Sequence, residues 1–87
     1  MEIVVTSDQE REELFAEIYH GQEQWAEVVY DSEEESFAIK IYAPTSGSNY
    51  VFSLSNVQKA IEEAKCRLMR LGYCEKERAP DLLQLYA

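Results

Sequence analysis

Side chains alternate between two sets on both sides of a short acidic stretch in residues 24–42, and this pattern is the strongest constraint on the fold. One set comprises Ala26, Val28, Tyr30, Phe37, Ile39 and Ile41, and the other comprises Trp25, Glu27, Val29, Ala38, Lys40 and Tyr42. Because successive side chains of a strand point to opposite faces, a period of two predicts two β-strands. The intervening "DSEEES" is rich in turn formers, so we predict a hairpin.

The N-terminal segment predicts a strand followed by a helix. Residues 2–6, "EIVVT", are short and β-branched, as is typical of a strand. Ser7 and Glu10 then have the spacing of a capping box, which starts a helix near Asp8, and Gly21 offers a left-handed stop. Apolar side chains recur at helical spacing inside this segment: Leu14, Phe15, Ile18 and Tyr19.

The C-terminal half predicts one more strand and one more helix. Residues 43–49 are dense in turn formers, and "YVF" at 50–52 is expected to be a third strand of the meander. Ser55 and Gln58 repeat the capping-box spacing, an apolar stripe follows, and Gly72 ends the helix. A final helical turn opens at Pro80. Its leucines either cap the core or contact a partner.

These elements predict one α+β domain spanning residues 1–87, with 79–87 as a mobile tail or a short helical turn. The expected order is β-α-β-β-β-α, a two-layer sandwich of a mainly antiparallel sheet with two helices on one face and a short C-terminal tail. The expected core consists of Ile3, Val5, Leu14, Phe15, Ile18, Ala26, Val28, Phe37, Ile39, Ile41, Val51, Val57, Ile61, Ala64 and Leu68.

Several functional classes are disfavoured by the residues present. Apolar runs are too short to cross a bilayer and the N-terminus lacks a leader pattern, so we expect a cytoplasmic protein that does not bind membranes. Two cysteines and one histidine are too few for a structural zinc site. The "DSEEES" carboxylates lack the register of a calcium loop, and adjacent acids in a turn point apart into water. We therefore expect no metal, no cofactor, no catalytic residues and no enzymatic activity.

Charge is distributed unevenly along the chain. Residues 1–35 contain twelve acidic residues and one basic residue, a formal charge of −11, whereas residues 36–87 carry a formal charge of +2. Nucleic-acid binding depends on cations that neutralise phosphates, so the acidic half disfavours it. The same charge favours a protein partner with a basic surface, because complementary fields speed encounter and select partners.

We therefore predict a small non-catalytic interaction module of the inhibitor, immunity-protein or regulator kind. Its expected acidic binding surface comprises Glu10, Glu12, Glu13, Glu17, Asp31, Glu33, Glu34 and Glu35. The alternative is a self-associating module joined through an aromatic sheet face (Trp25, Tyr42, Tyr50) or through the C-terminal tail. That aromatic face also suits a small ligand. Acidic surfaces in addition serve solubility alone in many proteins.

Overall fold

Four strands and one helix make up the fold of residues 1–7, 10, 13–45 and 47–75, which the computed structural model describes. The elements are β1 (Glu2–Thr6), β2 (Phe15–His20), β3 (Glu23–Asp31), β4 (Ser36–Ile41) and α1 (Leu54–Arg70). The strands form one antiparallel sheet in the order β1-β2-β3-β4. Among these residues, no helix has the length and apolar character that crossing a bilayer requires.

The predicted hairpin and C-terminal helix are both present, but the helix begins at Leu54 with Ser53 as its N-cap, so the capping box predicted at Ser55 and Gln58 is wrong. In the hairpin, the carboxylate of Asp31 accepts hydrogen bonds from the backbone N–H groups of Glu33 (3.0 Å) and Glu34 (3.2 Å). Glu35 then turns the chain with a φ of 52°, in the left-handed region, before Ser36 pairs with Asp31. An aspartate that bonds the backbone two residues onward is a common turn device, so the sequence itself fixes where this turn lies.

The helix predicted to start near Asp8 and to stop at Gly21 is wrong where this segment is described; residues 8, 9, 11 and 12 lie outside the described residues. Residues 15–20 form β2 instead, which pairs with β1 on one side and β3 on the other. Ala16 and Ile18 project to one face and are fully buried there. The apolar residues of this segment fit a period of two as well as a helical period, so the pattern does not distinguish a strand from a helix. Pairing with β1 and β3 gives the backbone N–H and C=O groups hydrogen-bond partners that a short isolated helix leaves unsatisfied at its ends.

The strand predicted at residues 50–52 is also wrong. Among the described residues the order is β-β-β-β-α, and one helix covers the sheet. Tyr50 and Phe52 lie in an irregular connection, where their rings stack at 5.1 Å between centroids. Val51 is exposed. Aromatic packing at the end of the sheet therefore takes the place of strand pairing in this segment.

The core lies between α1 and one face of β1, β2 and β3. Its buried members are Ile3, Ala16, Ile18, Trp25, Ala26, Val28, Ala60, Ala64 and Leu68. Alanines on the helix allow its backbone to approach the sheet closely. Two predicted core residues of β4, Ile39 and Ile41, are exposed because α1 leaves β4 largely uncovered. Val51 is exposed in the connection before α1, and Phe15 is buried but lies outside this cluster.

The end of α1 is fixed to the sheet by two tyrosines. The helix closes with N–H groups of Gly72 and Tyr73 bonded to carbonyls of its last turn, and Gly72 takes a φ of 107°. The hydroxyl of Tyr73 accepts a hydrogen bond from the backbone N–H of Leu14 at 2.9 Å. The hydroxyl of Tyr30 donates to the carbonyl of Cys74 at 2.8 Å.

We expect Leu68→Ala to lower the free energy of unfolding by about 2–5 kcal/mol, because it removes a fully buried side chain between α1 and the sheet. Leu54→Ala is the matched control, since Leu54 is in the same helix but is 71% exposed. Chemical denaturation followed by circular dichroism measures both. Equal effects of the two substitutions would contradict the position of the core.

Candidate functional site

The antiparallel meander brings two acidic connections to the same end of the sheet. Thr6 pairs with Phe15 at the start of the β1–β2 connection, and Asp31 pairs with Ser36 at the β3–β4 turn. A shallow groove of about 390 Å³ joins them, since Glu13 and Ser32 both line it. We define the acidic end by its described carboxylates: Glu10, Glu13, Asp31, Glu33, Glu34 and Glu35.

Most carboxylates of the acidic end are in contact with water. Glu13 is half-buried and the other five residues are exposed. Asp31 is held by its two backbone hydrogen bonds, and this fixes the direction of the turn that carries Glu33 and Glu34. An exposed carboxylate keeps its charge at little energetic cost, so the arrangement is suited to presenting negative charge.

The acidic end acts electrostatically on one tyrosine at its base. Partial burial raises the pKa of the Tyr30 hydroxyl, and the nearby carboxylates of Glu35, Glu13 and Asp31 raise it further. Glu13 belongs to the β1–β2 connection and Glu35 to the β3–β4 turn, so carboxylates of both segments act on the Tyr30 hydroxyl. A negative field favours the neutral phenol over the phenolate.

Two basic side chains of α1 are paired with carboxylates outside the acidic end. Lys65 lies 2.7 Å from Glu75, and this hydrogen bond is the main reason that the pKa of Lys65 is raised. Arg67 lies 2.6 Å from Glu63 and also donates to the carbonyl of Ile3 at 2.8 Å. These cations therefore already have partners in α1, in β1 and at Glu75. Lys40 borders the groove from β4.

Two residues of the predicted acidic surface are not part of the acidic end. Glu12 lies outside the described residues. Glu17 is in β2, half-buried, and directly opposite both Val4 and Glu27. The hydroxyl of Tyr19 donates to the Glu17 carboxylate at 3.4 Å. The predicted surface is thus divided between one end of the sheet and the sheet face that α1 does not cover.

The predicted aromatic face does not exist as one surface. Trp25 is buried in the core, because a register shift between Ile18 and Tyr19 interrupts the alternation at this point. Its ring packs against Phe52, with 5.2 Å between centroids. Tyr50 lies in the connection before α1, where its hydroxyl donates to Glu23 at 2.9 Å. Trp25 is therefore not an exposed contact residue, whereas Tyr42 is 40% exposed; self-association and small-ligand binding at this face stay predictions.

A buried glutamate was missed from the sequence. Glu27 is 2% exposed and accepts a hydrogen bond from the Tyr42 hydroxyl. Its direct neighbours across the sheet are Glu17 and Lys40. Tyr42 therefore serves as the partner of a buried carboxylate. The only sequence signal is a charged residue flanked by apolar ones in a strand, which is also what a solvated sheet face shows.

The described residues contain no group of three or more histidine, cysteine, aspartate or glutamate side chains arranged to hold a metal ion.

A scan against protein-family models, a search of curated proteins and a search of solved structures found no match to this chain. We therefore infer function from the geometry and charge of the described residues.

We expect the pKa of Tyr30 to fall when Glu13 and Glu35 are both replaced by glutamine, because the native carboxylates raise it. Nuclear magnetic resonance titration of the Tyr30 ring measures this pKa. Glu2→Gln is the matched control, since the Glu2 carboxylate raises the pKa of Tyr19 and not that of Tyr30. An unchanged Tyr30 pKa in the double variant would contradict a shared field.

Proposed function

We propose that this chain is a small, non-catalytic protein-interaction module of the cytoplasm whose acidic end binds a basic surface on another protein. Inhibitors, immunity proteins and regulators are the classes that use this mode of binding. The observation that carries the proposal is the convergence of two acidic connections on one groove at one end of the sheet.

The geometry supports recognition by a surface rather than by a pocket. The turn that carries Glu33 and Glu34 is held in place by Asp31, so part of the negative charge is preorganised before binding. Preorganised side chains lose less conformational entropy when a partner binds. The exposed carboxylates offer contacts for lysine or arginine side chains of a partner, and attraction at long range speeds encounter at low salt.

A basic protein fits this surface better than a nucleic acid or a small substrate. Phosphates are repelled by the exposed carboxylates at 31 and 33–35. The turn points its acids into water, and general acid–base catalysis on a glycoside requires two carboxylates that face one another across a cleft. Both considerations favour a non-catalytic role for the acidic end.

Charge reversal at the β3–β4 turn tests the proposal. Affinity capture from extracts of the source cells, followed by elution with salt, identifies the basic partner. We expect Glu33→Lys combined with Glu34→Lys to weaken binding of that partner by about tenfold or more, equivalent to about 1.4 kcal/mol. We leave Asp31 and Glu35 unchanged, because Asp31 fixes the turn and Glu35 has a positive φ. Isothermal titration calorimetry at low and high salt measures the affinity.

Glu2→Lys combined with Glu62→Lys is the control for total charge. Both residues are exposed and lie in β1 and α1, and the double variant changes the net charge by the same amount. We expect the control to retain binding within about threefold, because screening confines surface charge effects to roughly 10 Å at ordinary salt. Equal losses in the two double variants, or no loss in either, would refute binding through the acidic end.

A further inference from the structure

One edge of the sheet presents apolar side chains that α1 does not cover. β4 is the outer strand of the described sheet, and α1 packs on β1, β2 and β3. Ile39 is 38% exposed and Ile41 is 68% exposed. Both alternate with Lys40, so they lie on the face that bears the core. The apolar face of the sheet therefore continues beyond the helix onto this edge.

The backbone of the same strand is oriented for pairing with another strand. The N–H of Tyr42 donates to the carbonyl of Trp25 at 2.8 Å, so Tyr42 bonds inward to β3. In an antiparallel pair, alternate residues bond inward and the residues between them point their N–H and C=O groups outward. The outward residues of β4 are therefore Phe37, Ile39 and Ile41. An outer strand with outward polar groups is a template for strand addition.

We propose that a second copy of this chain pairs with β4 in antiparallel register about a twofold axis at Ile39. The strand is self-complementary in that register. Ile39 faces the partner's Ile39, and Phe37 faces the partner's Ile41, so the apolar side chains meet on one face. Lys40 faces the partner's Ala38, so the two lysines are not directly opposed. About six interchain hydrogen bonds result over a strand of about 20 Å.

The arrangement is compatible with the net charge of −9 on each chain. Antiparallel pairing of the two β4 strands points the β3–β4 turns of the two copies in opposite directions. The acidic ends are then at opposite ends of an eight-stranded sheet, and repulsion between them is weak beyond about 10 Å. Stacking of the chains by their acidic ends would instead place like charges in contact.

Pairing through β4 also leaves each acidic end open to its own partner. The groove between the two acidic connections is at an end of the sheet and reaches Lys40 of β4, whereas pairing uses the outward backbone groups of Phe37, Ile39 and Ile41 along the edge of that strand. The dimer would present two acidic ends that point in opposite directions. This inference does not depend on the proposed function, because dimerisation is measured on the isolated chain.

Sedimentation equilibrium on the full chain tests the dimer. We expect the mass to rise from 10.1 kDa toward twice that value as concentration rises to about 200 µM, where a dimer with Kd on the order of 10 µM is well populated. Ile39→Lys and Ile39→Glu, each alone, are expected to weaken dimerisation at least about tenfold, because each places like charges directly opposite across the twofold axis. Mixing the two variants is expected to restore a dimer, since lysine then faces glutamate.

Val4→Lys is the matched control. Val4 is 38% exposed, as Ile39 is, and lies in the strand at the other edge of the sheet. We expect Val4→Lys to leave dimerisation unchanged, and circular dichroism confirms that each variant is folded. A wild-type chain that stays monomeric over the whole range refutes the inference. Equal disruption by Val4→Lys, or no recovery in the mixture, refutes pairing about Ile39.

Discussion

β2 lies between β1 and β3, and its Ala16 and Ile18 are fully buried beneath α1. This central strand determines how the rest of the chain is arranged. Because it runs antiparallel to both neighbours, the connection before it and the turn after β3 come to the same end of the sheet. Two acidic segments separated by a whole hairpin thus share one groove. Without β2 in this position, β1 would have no partner in the sheet and α1 would have no central surface to cover.

Two surfaces with different physical character result from this arrangement. The acidic end consists mainly of exposed carboxylates, so any binding there weakens as salt screens the charge. The β4 edge consists of Ile39, Ile41 and outward backbone groups, so pairing there depends on hydrogen bonds and apolar burial and resists salt. The β4 edge is exposed because α1 is too narrow to cover all four strands of the described sheet. One helix covers three strands of the sheet, and the fourth strand keeps part of its apolar face exposed.

The sequence predicted the β3–β4 hairpin and α1, because in both segments the turn or stop residues agree with the periodicity. It did not predict β2, because the apolar residues of segment 14–20 fit a helical period and a strand period alike, and only pairing with β1 and β3 decides between them. The same holds for Trp25. A register shift between β2 and β3 opposite Trp25 moves its ring into the core, and no pattern in the local sequence predicts such a shift. Glu27 was missed because burial of a charge depends on neighbours from other strands, here including Tyr42.

The strand character of residues 15–20 is the most direct test of this account, because the shared acidic end depends on it. Backbone nuclear Overhauser effects measure it on the isolated chain. We expect interstrand contacts that join Ile18 to Ile3 on one side and Ala16 to Val28 on the other. Strong sequential amide–amide contacts through residues 15–20, typical of a helix, together with missing interstrand contacts, would contradict the account.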